Sequence, residues 1–221
     1  MCYTGIAVAA SVAGLYFLFD VNYFIRIALT IIFGRFFQRK IKATDKSTIY
    51  GMVTTQDVDI FLRFMNNARY LRELDFARFL FYDRSGIYRQ IVKNKGNAMQ
   101  TASSIRYRRT IPIFSIYKIE TRSAICIITV ERMTVISVST NSLPCWYWDP
   151  KAIYIEQRFV TLRDGFVRAI ALSKQGIVNV NVEEMMSKLV GPDFKKPAMP
   201  EEIDHWVKSN EVSSIKLRKA E

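Results

Sequence analysis

One histidine, three cysteines and no C-x-x-C pair are all that these 221 residues offer to the chemistries that need them. The histidine, His205, sits in Asp204-His205-Trp206 near the C-terminus and reads as a structural residue of a short amphipathic helix. A lone histidine so placed argues against a Ser-His-Asp or Cys-His device and against most catalytic zinc sites, which need imidazole beside the reacting group. Cys2, Cys126 and Cys145 are odd in number and lack metal-ligand spacing, so neither a disulfide framework nor a zinc site is expected, and a reducing compartment fits. No metal and no cofactor are predicted. Any catalysis then falls to carboxylates, hydroxyls and backbone dipoles.

Half of the residues are hydrophobic, which argues against wholesale disorder and gives room for one ordinary domain plus a further segment. The formal charge of +12 and pI near 9.7 favour anionic partners: nucleic acid, acidic lipid, or the phosphates of a coenzyme. Basic residues are dispersed and no recognition motif is present, so nucleic acid is not expected.

Ile6 to Phe19 carries no charge, and after Asp20-Val21-Asn22 a second apolar run continues to Phe33 with Arg26 inside it. A spanning helix needs roughly 20 apolar residues, a length that only the joined runs reach. Residues 1–42 therefore read as a retained membrane anchor with a basic flank. The alternatives are a buried hydrophobic hairpin, or a cleaved signal peptide on a secreted protein, although no Lys or Arg precedes Ile6. Arg35, Arg39, Lys40 and Lys42 follow the runs, which by the positive-inside rule leaves the main domain in the cytosol.

The main domain, 49–190, opens with an extended segment, Ile49 to Phe61, that contains Asp57-Val58-Asp59. Asn66 and Asn67 follow; their short amides suit the start of a helix running from Asn67 to about Tyr82. On a helical wheel Tyr70, Leu71, Leu74, Ala77, Phe81 and Tyr82 share one face, with Arg69, Arg72 and Glu73 opposite. Asp75 falls at the edge of that face, in reach of Arg72 or Arg78. Carboxylates close to a helix N-terminus can form a reaction centre, which makes Asp57 and Asp59 catalytic candidates, with Asp75, further along the helix, the third. Asp83 to Gly86 ends the helix, and Ile87 to Lys95 forms a short basic helix or turn.

From Ala98 the period becomes two. Ile105 and Tyr107 alternate with Arg106 and Arg108; Tyr117, Ile119 and Thr121 with Lys118, Glu120 and Arg122; Ile153 and Ile155 with Tyr154 and Glu156. These are strands of an antiparallel sheet. Arg163-Asp164-Gly165 supplies a tight turn before a strand from Phe166 to Leu172. Val182 to Val190 and Glu201 to Lys208 are outer helices, the second within a C-terminal tail, 191–221. One long helix followed by strands makes the class α+β.

Asp57-x-Asp59, Met65-Asn66-Asn67-Ala68-x-Tyr70-Leu71 and Asp75-Phe76-Ala77-Arg78 resemble the 4-hydroxybenzoyl-CoA thioesterase-like branch of the hotdog family. Asp20-Val21-x-Tyr23, Arg158-Phe159-Val160-x-Leu162-Arg163-Asp164-Gly165-Phe166-Val167, and His205-Trp206 with Asn210-Glu211-x-Ser213-Ser214 extend that resemblance over most of the chain. It implies a central helix wrapped by an antiparallel sheet, hydrolysis of an acyl-thioester such as acyl-CoA, and a homo-oligomer with its site at a subunit interface. It also implies an endoplasmic reticulum membrane.

In that branch the second aspartate, here Asp59, is the catalytic one, with amides around Asn66, Asn67 and Ala68 stabilising the oxyanion. Arg106, Arg108 and Arg109 are the candidates for the coenzyme phosphates. The family pattern departs at Ile60-Phe61-Leu62-Arg63-Phe64, bulky and without glycine, which keeps open a second reading as an acyl-binding or scaffold protein without turnover. The interval from Asp59 to the asparagines is also about one residue longer than usual, so Asp57 and Asp59 are not ranked. Residues 123–144 read as an insertion relative to the family, derived from a mispredicted or retained intron.

Overall fold

The structure, a computed structural model, describes residues 20–123, 148–191 and 199–218, with isolated positions 4, 5, 7, 11, 14 and 16 before them. The chain divides into two compact units, Met1–Arg39 and Lys40–Glu221. In the first, helix α1 (Val21–Phe37) starts at Asp20, whose carboxylate accepts from the Tyr23 amide and caps the first turn. The Asp20-Val21-Asn22 interruption is thus a helix start. Most of the preceding run lies outside the described residues, and among the described residues no helix is long and apolar enough to cross a membrane. The expected anchor helix is therefore not confirmed. The predicted insertion at 123–144 likewise lies outside the described residues, apart from Ser123.

The second unit contains β1 (Ser47–Met52), α2 (Asn67–Ser85), α3 (Ile87–Lys93), β2 (Asn97–Tyr107), β3 (Ile116–Ser123), β4 (Trp148–Asp149), β5 (Ala152–Thr161), β6 (Val167–Val178), α4 (Val182–Val190) and α5 (Glu201–Arg218). The strands form one antiparallel sheet in the order β1-β3-β5-β6-β2, with the short β4 paired to β5. Helix α2 packs on one face through Tyr70, Leu74 and Ala77, which meet Tyr117 and Ile119 of β3, Phe159 of β5, and Ala169 and Ala171 of β6. Further along, Phe81 and Tyr82 join Ile87, Ile91, Ile153, Ile155, Ile177 and the α4 residues Met185 and Met186. This is the α+β class that the strand pattern predicts, in the hotdog-like arrangement that the resemblance implies.

The opposite sheet face is partly covered as well. Tyr154, alternating with the core residues Ile153 and Ile155, packs with Ala152 and Ile203 of α5, and its ring meets Trp206 edge-on at 6.4 Å. His205 beside it is exposed. Helix α5 runs on to Arg218, ten residues beyond the predicted end at Lys208. On the same face Glu120 is nearly buried between Lys46 and Lys118; burial pushes its carboxyl up, but the hydrogen bonds and charges of the two lysines outweigh this and hold it at about 2.

Three expectations are corrected. The extended segment stops at Met52, because the Asp57 carboxylate takes the Thr54 amide and hydroxyl and closes a turn that withdraws them from the sheet. Leu71 is exposed, whereas Glu73, expected in solvent, is buried. Glu73 Oε2 accepts from the Tyr117 hydroxyl at 2.9 Å. That ring reaches across because its register partner is Gly51, where a Cβ would lie 2.6 Å from it. Helix α2 also runs to Ser85, where Gly86, with φ of 78°, ends it and begins α3.

Candidate functional site

Residues 57–66 fold back on themselves ahead of α2. The Asn66 amide donates to the Asp57 carbonyl, Val58 and Met65 form an antiparallel bridge, and the Asp59 amide donates to the Phe64 carbonyl. The two aspartates therefore lie in one narrow hairpin that leads into the helix. Their side chains differ in what they hold.

Asp57 is buried: its Oδ2 accepts from the Thr54 amide at 3.0 Å and hydroxyl at 2.7 Å, and its Oδ1 is 4.0 Å from Arg69 Nε. It is a turn-closing residue with both oxygens engaged. Asp59 is half-exposed; Oδ1 accepts from the amides of Arg63 (3.2 Å) and Phe64 (3.5 Å). Among the described residues Asp59 Oδ2 has no partner. One oxygen is thus fixed by the loop while the other stays open for chemistry. The side chains of Ile60, Phe61 and Leu62, next in the hairpin, are exposed.

At the helix start, Asn66 Oδ1 already takes the Ala68 amide at 2.9 Å, and the Asn66 carbonyl takes that of Arg69. Of the predicted donors Asn66, Asn67 and Ala68, only the Asn67 amide is left without a partner among the described residues, and it points along the positive end of the helix dipole. Tyr107, at the end of β2, donates its hydroxyl to the Asn67 carbonyl at 3.2 Å and packs edge-on against Tyr70 at 5.1 Å. Burial pushes the Tyr70 phenol up to about 12 and raises that of Tyr107, so both stay protonated at neutral pH. Tyr107 was missed by sequence reasoning, which used it only as a strand marker.

Asp75 is placed elsewhere. It pairs with Arg78 at 2.5 Å, and Arg78 also donates to Gln100 of β2, which accepts from Gln175 of β6. Eight residues of helix separate Asp75 from Asn67, about 12 Å along the axis. It belongs to a polar seam between helix and sheet, apart from the Asp59 hairpin.

The predicted arginines separate too. Arg108 and Arg109 follow Tyr107 and lie 4.8 and 4.5 Å from the centroid of the Phe166 ring, where Arg168 lies 5.3 Å away. Arg106 joins none of these contacts. Three guanidiniums lie on one aromatic ring beside a single carboxylate, Asp164, which pairs with Arg168 at 2.5 Å and leaves the group positive. The Thr161 hydroxyl and Phe166 amide, with Arg168 beside them, hold the Asp164 carboxyl below its ordinary range. Arg168 is a further residue that only register reveals, since β2 and β6 bring it to Arg108 through the Arg168 carbonyl. Among the described residues no three His, Cys, Asp or Glu side chains gather to hold a metal ion.

Comparison with known proteins completes this picture. The Thioesterase-like superfamily matches residues 53–207. Protein THEM6 of Drosophila melanogaster is 53% identical over 205 residues, covering 93% of this chain and 94% of its own. Protein THEM6 of Xenopus laevis is 38% identical over 209 residues, covering 94% and 89%. Among solved structures, the probable thioesterase YbaW from Escherichia coli superposes with a TM-score of 0.50 at 17% identity, over 66% of this chain and 95% of its own, a likeness of fold. The chain belongs to the thioesterase-like superfamily.

Proposed function

We propose that this chain hydrolyses acyl-thioesters, with acyl-CoA as the substrate class and Asp59 as the general base. The observation that carries the reading is the inequality of the two hairpin carboxylates: Asp57 is spent on its turn, while Asp59 keeps one oxygen unengaged in the hairpin that leads into the helix. Asp59 Oδ2 takes a proton from water, and the oxygen of that water bonds to the thioester carbon. The Asn67 amide stabilises the oxyanion, and the carbon–sulfur bond then breaks as the thiolate leaves and recovers the proton. Arg108, Arg109 and Arg168 form a concentrated positive surface suited to the coenzyme phosphates. Strand β2, paired on one side only among the described residues, offers an open edge on which a second copy would make the proposed homo-oligomer, and a monomer in light scattering removes that element.

The test is a panel of acyl-CoAs of increasing chain length, followed by release of free thiol. Release above the spontaneous rate for at least one chain length is expected. If no ester is cleaved while calorimetry still registers acyl-CoA binding, the chain is a non-hydrolysing acyl-binding or scaffold protein. That second reading is favoured by the glycine-free stretch Ile60 to Phe64.

The proposal also places the main domain on the cytosolic side of the endoplasmic reticulum membrane, held by the apolar N-terminal runs. The flanking Arg35, Arg39, Lys40 and Lys42 support that orientation. Trypsin added to sealed microsomes should remove the C-terminal region, and full protection overturns the orientation.

A further inference from the structure

Six large apolar side chains stand in solvent at one end of the sheet. Ile60, Phe61 and Leu62 are 90%, 75% and 61% exposed at the tip of the Asp59 hairpin, and Phe114 is 65% exposed on the segment between β2 and β3. Ile116 and Leu162 are exposed next to them. Backbone bonds tie these segments into one surface: the Ile113 amide donates to the Arg63 carbonyl, and the Leu162 amide to that of Ile116, both at 3.0 Å. A cleft of about 590 Å³ lies between the second and third segments, with Phe114, Leu162 and Arg163 on its walls. An apolar patch of this kind on a soluble domain marks a surface that another body covers.

The backbone adds a separate observation. Leu62 and Phe114 have φ of 55° and 59°, the left-handed region that bulky residues avoid. A glycine there relieves the strain, and neither exposed side chain contributes to the core. Strained backbone that presents apolar bulk to solvent serves contact with something outside the domain. The charge of the patch says what. Arg63 and Arg163, in the same segments, are exposed and make no ion pair among the described residues, on a chain of net charge +12.

We propose that this end of the domain docks onto an anionic lipid bilayer. Ile60, Phe61, Leu62 and Phe114 sit at the level where headgroups meet acyl chains, and Arg63 and Arg163 lie on the lipid phosphates. A second copy is a poorer occupant, because a two-fold contact brings together two patches that each carry unpaired arginines, and the exposed carboxylate beside them, Asp164, is already paired with Arg168. The inference goes beyond thioester hydrolysis and holds whether or not the N-terminal runs anchor the chain.

The experiment uses the full chain reconstituted into vesicles of dibrominated phosphatidylcholine with and without phosphatidylserine. Phe61→Trp places a reporter at the tip, and Tyr88→Trp, at an exposed position of α3, serves as control. Bromine quenching above the wild-type background is expected for Phe61→Trp in the phosphatidylserine vesicles and not for Tyr88→Trp. Adding Arg63→Ser or Arg163→Ser should lower the docked-to-free ratio about fivefold each. Quenching no greater than the control overturns the proposal, and equal quenching without phosphatidylserine overturns its anionic character. A blue shift that grows with protein density, without bromine quenching, assigns the patch to a second copy instead.

Discussion

Asp59→Asn should lower kcat/KM for acyl-CoA hydrolysis by about 10²–10⁴-fold, the usual contribution of a positioned general base. The amide keeps an oxygen for the Arg63 and Phe64 N–H groups, so the hairpin stays in place and Tm moves by no more than about 2 °C. What is lost is the ability of the second atom to receive a proton. Asp57→Ala should do the opposite. It removes a buried acceptor from the Thr54 amide and hydroxyl and a neighbouring charge from Arg69, with both Thr54 donors left unpaired. A loss of about 3 kcal/mol follows, or roughly 6–12 °C in Tm for a unit of this size. The fraction that remains folded should turn over within a few-fold of wild type. Full activity in Asp59→Asn, measured by thiol release, would remove Asp59 from the mechanism; a dead but fully folded Asp57→Ala would move the chemistry to Asp57.

The sequence carried the sheet because alternation marks the face that packs on the helix, so Tyr117, Ile119 and Thr121 could be told from Lys118, Glu120 and Arg122, although Tyr154 and Glu120 on the other face are buried as well. The turn at Arg163-Asp164-Gly165 was legible for a similar reason, since Gly165, at φ of 64°, meets a purely local demand. Glu73 was not legible. A helical wheel sends a carboxylate to solvent, and what keeps this one inside is a tyrosine 44 positions away that passes over a glycine on a third element. The ranking of Asp57 over Asp59 as structural also lay beyond reach, because it depends on which amides the closed hairpin turns toward each carboxylate. Arg168 joined Arg108 and Arg109 only through strand register, which spacing along the chain does not encode.

Phe159→Ala tests whether the core beneath the helix start is what holds the site in shape. Phe159 is completely buried towards the C-terminal end of β5, with the Tyr70 ring at 4.9 Å and the Tyr117 ring at 5.5 Å. Removing it takes away transfer energy and leaves a cavity whose walls belong to three elements, α2, β3 and β5, which limits collapse. The expected cost is about 3–5 kcal/mol, or some 6–20 °C in Tm. Phe159→Leu fills most of the volume and should cost less than about 1.5 kcal/mol. The damage should also reach function. Tyr70 packs against Tyr107, whose hydroxyl holds the Asn67 carbonyl, so a loosened Tyr70 frees the first turn that carries the open amide. Spectrophotometric titration should then find the Tyr70 phenol moving down from about 12 toward its ordinary value of 10.0 as water reaches it. A Phe159→Ala protein no less stable than Phe159→Leu, with its tyrosine titration unchanged, would show that the core relaxes around the lost ring and that the helix start is held by its cap alone.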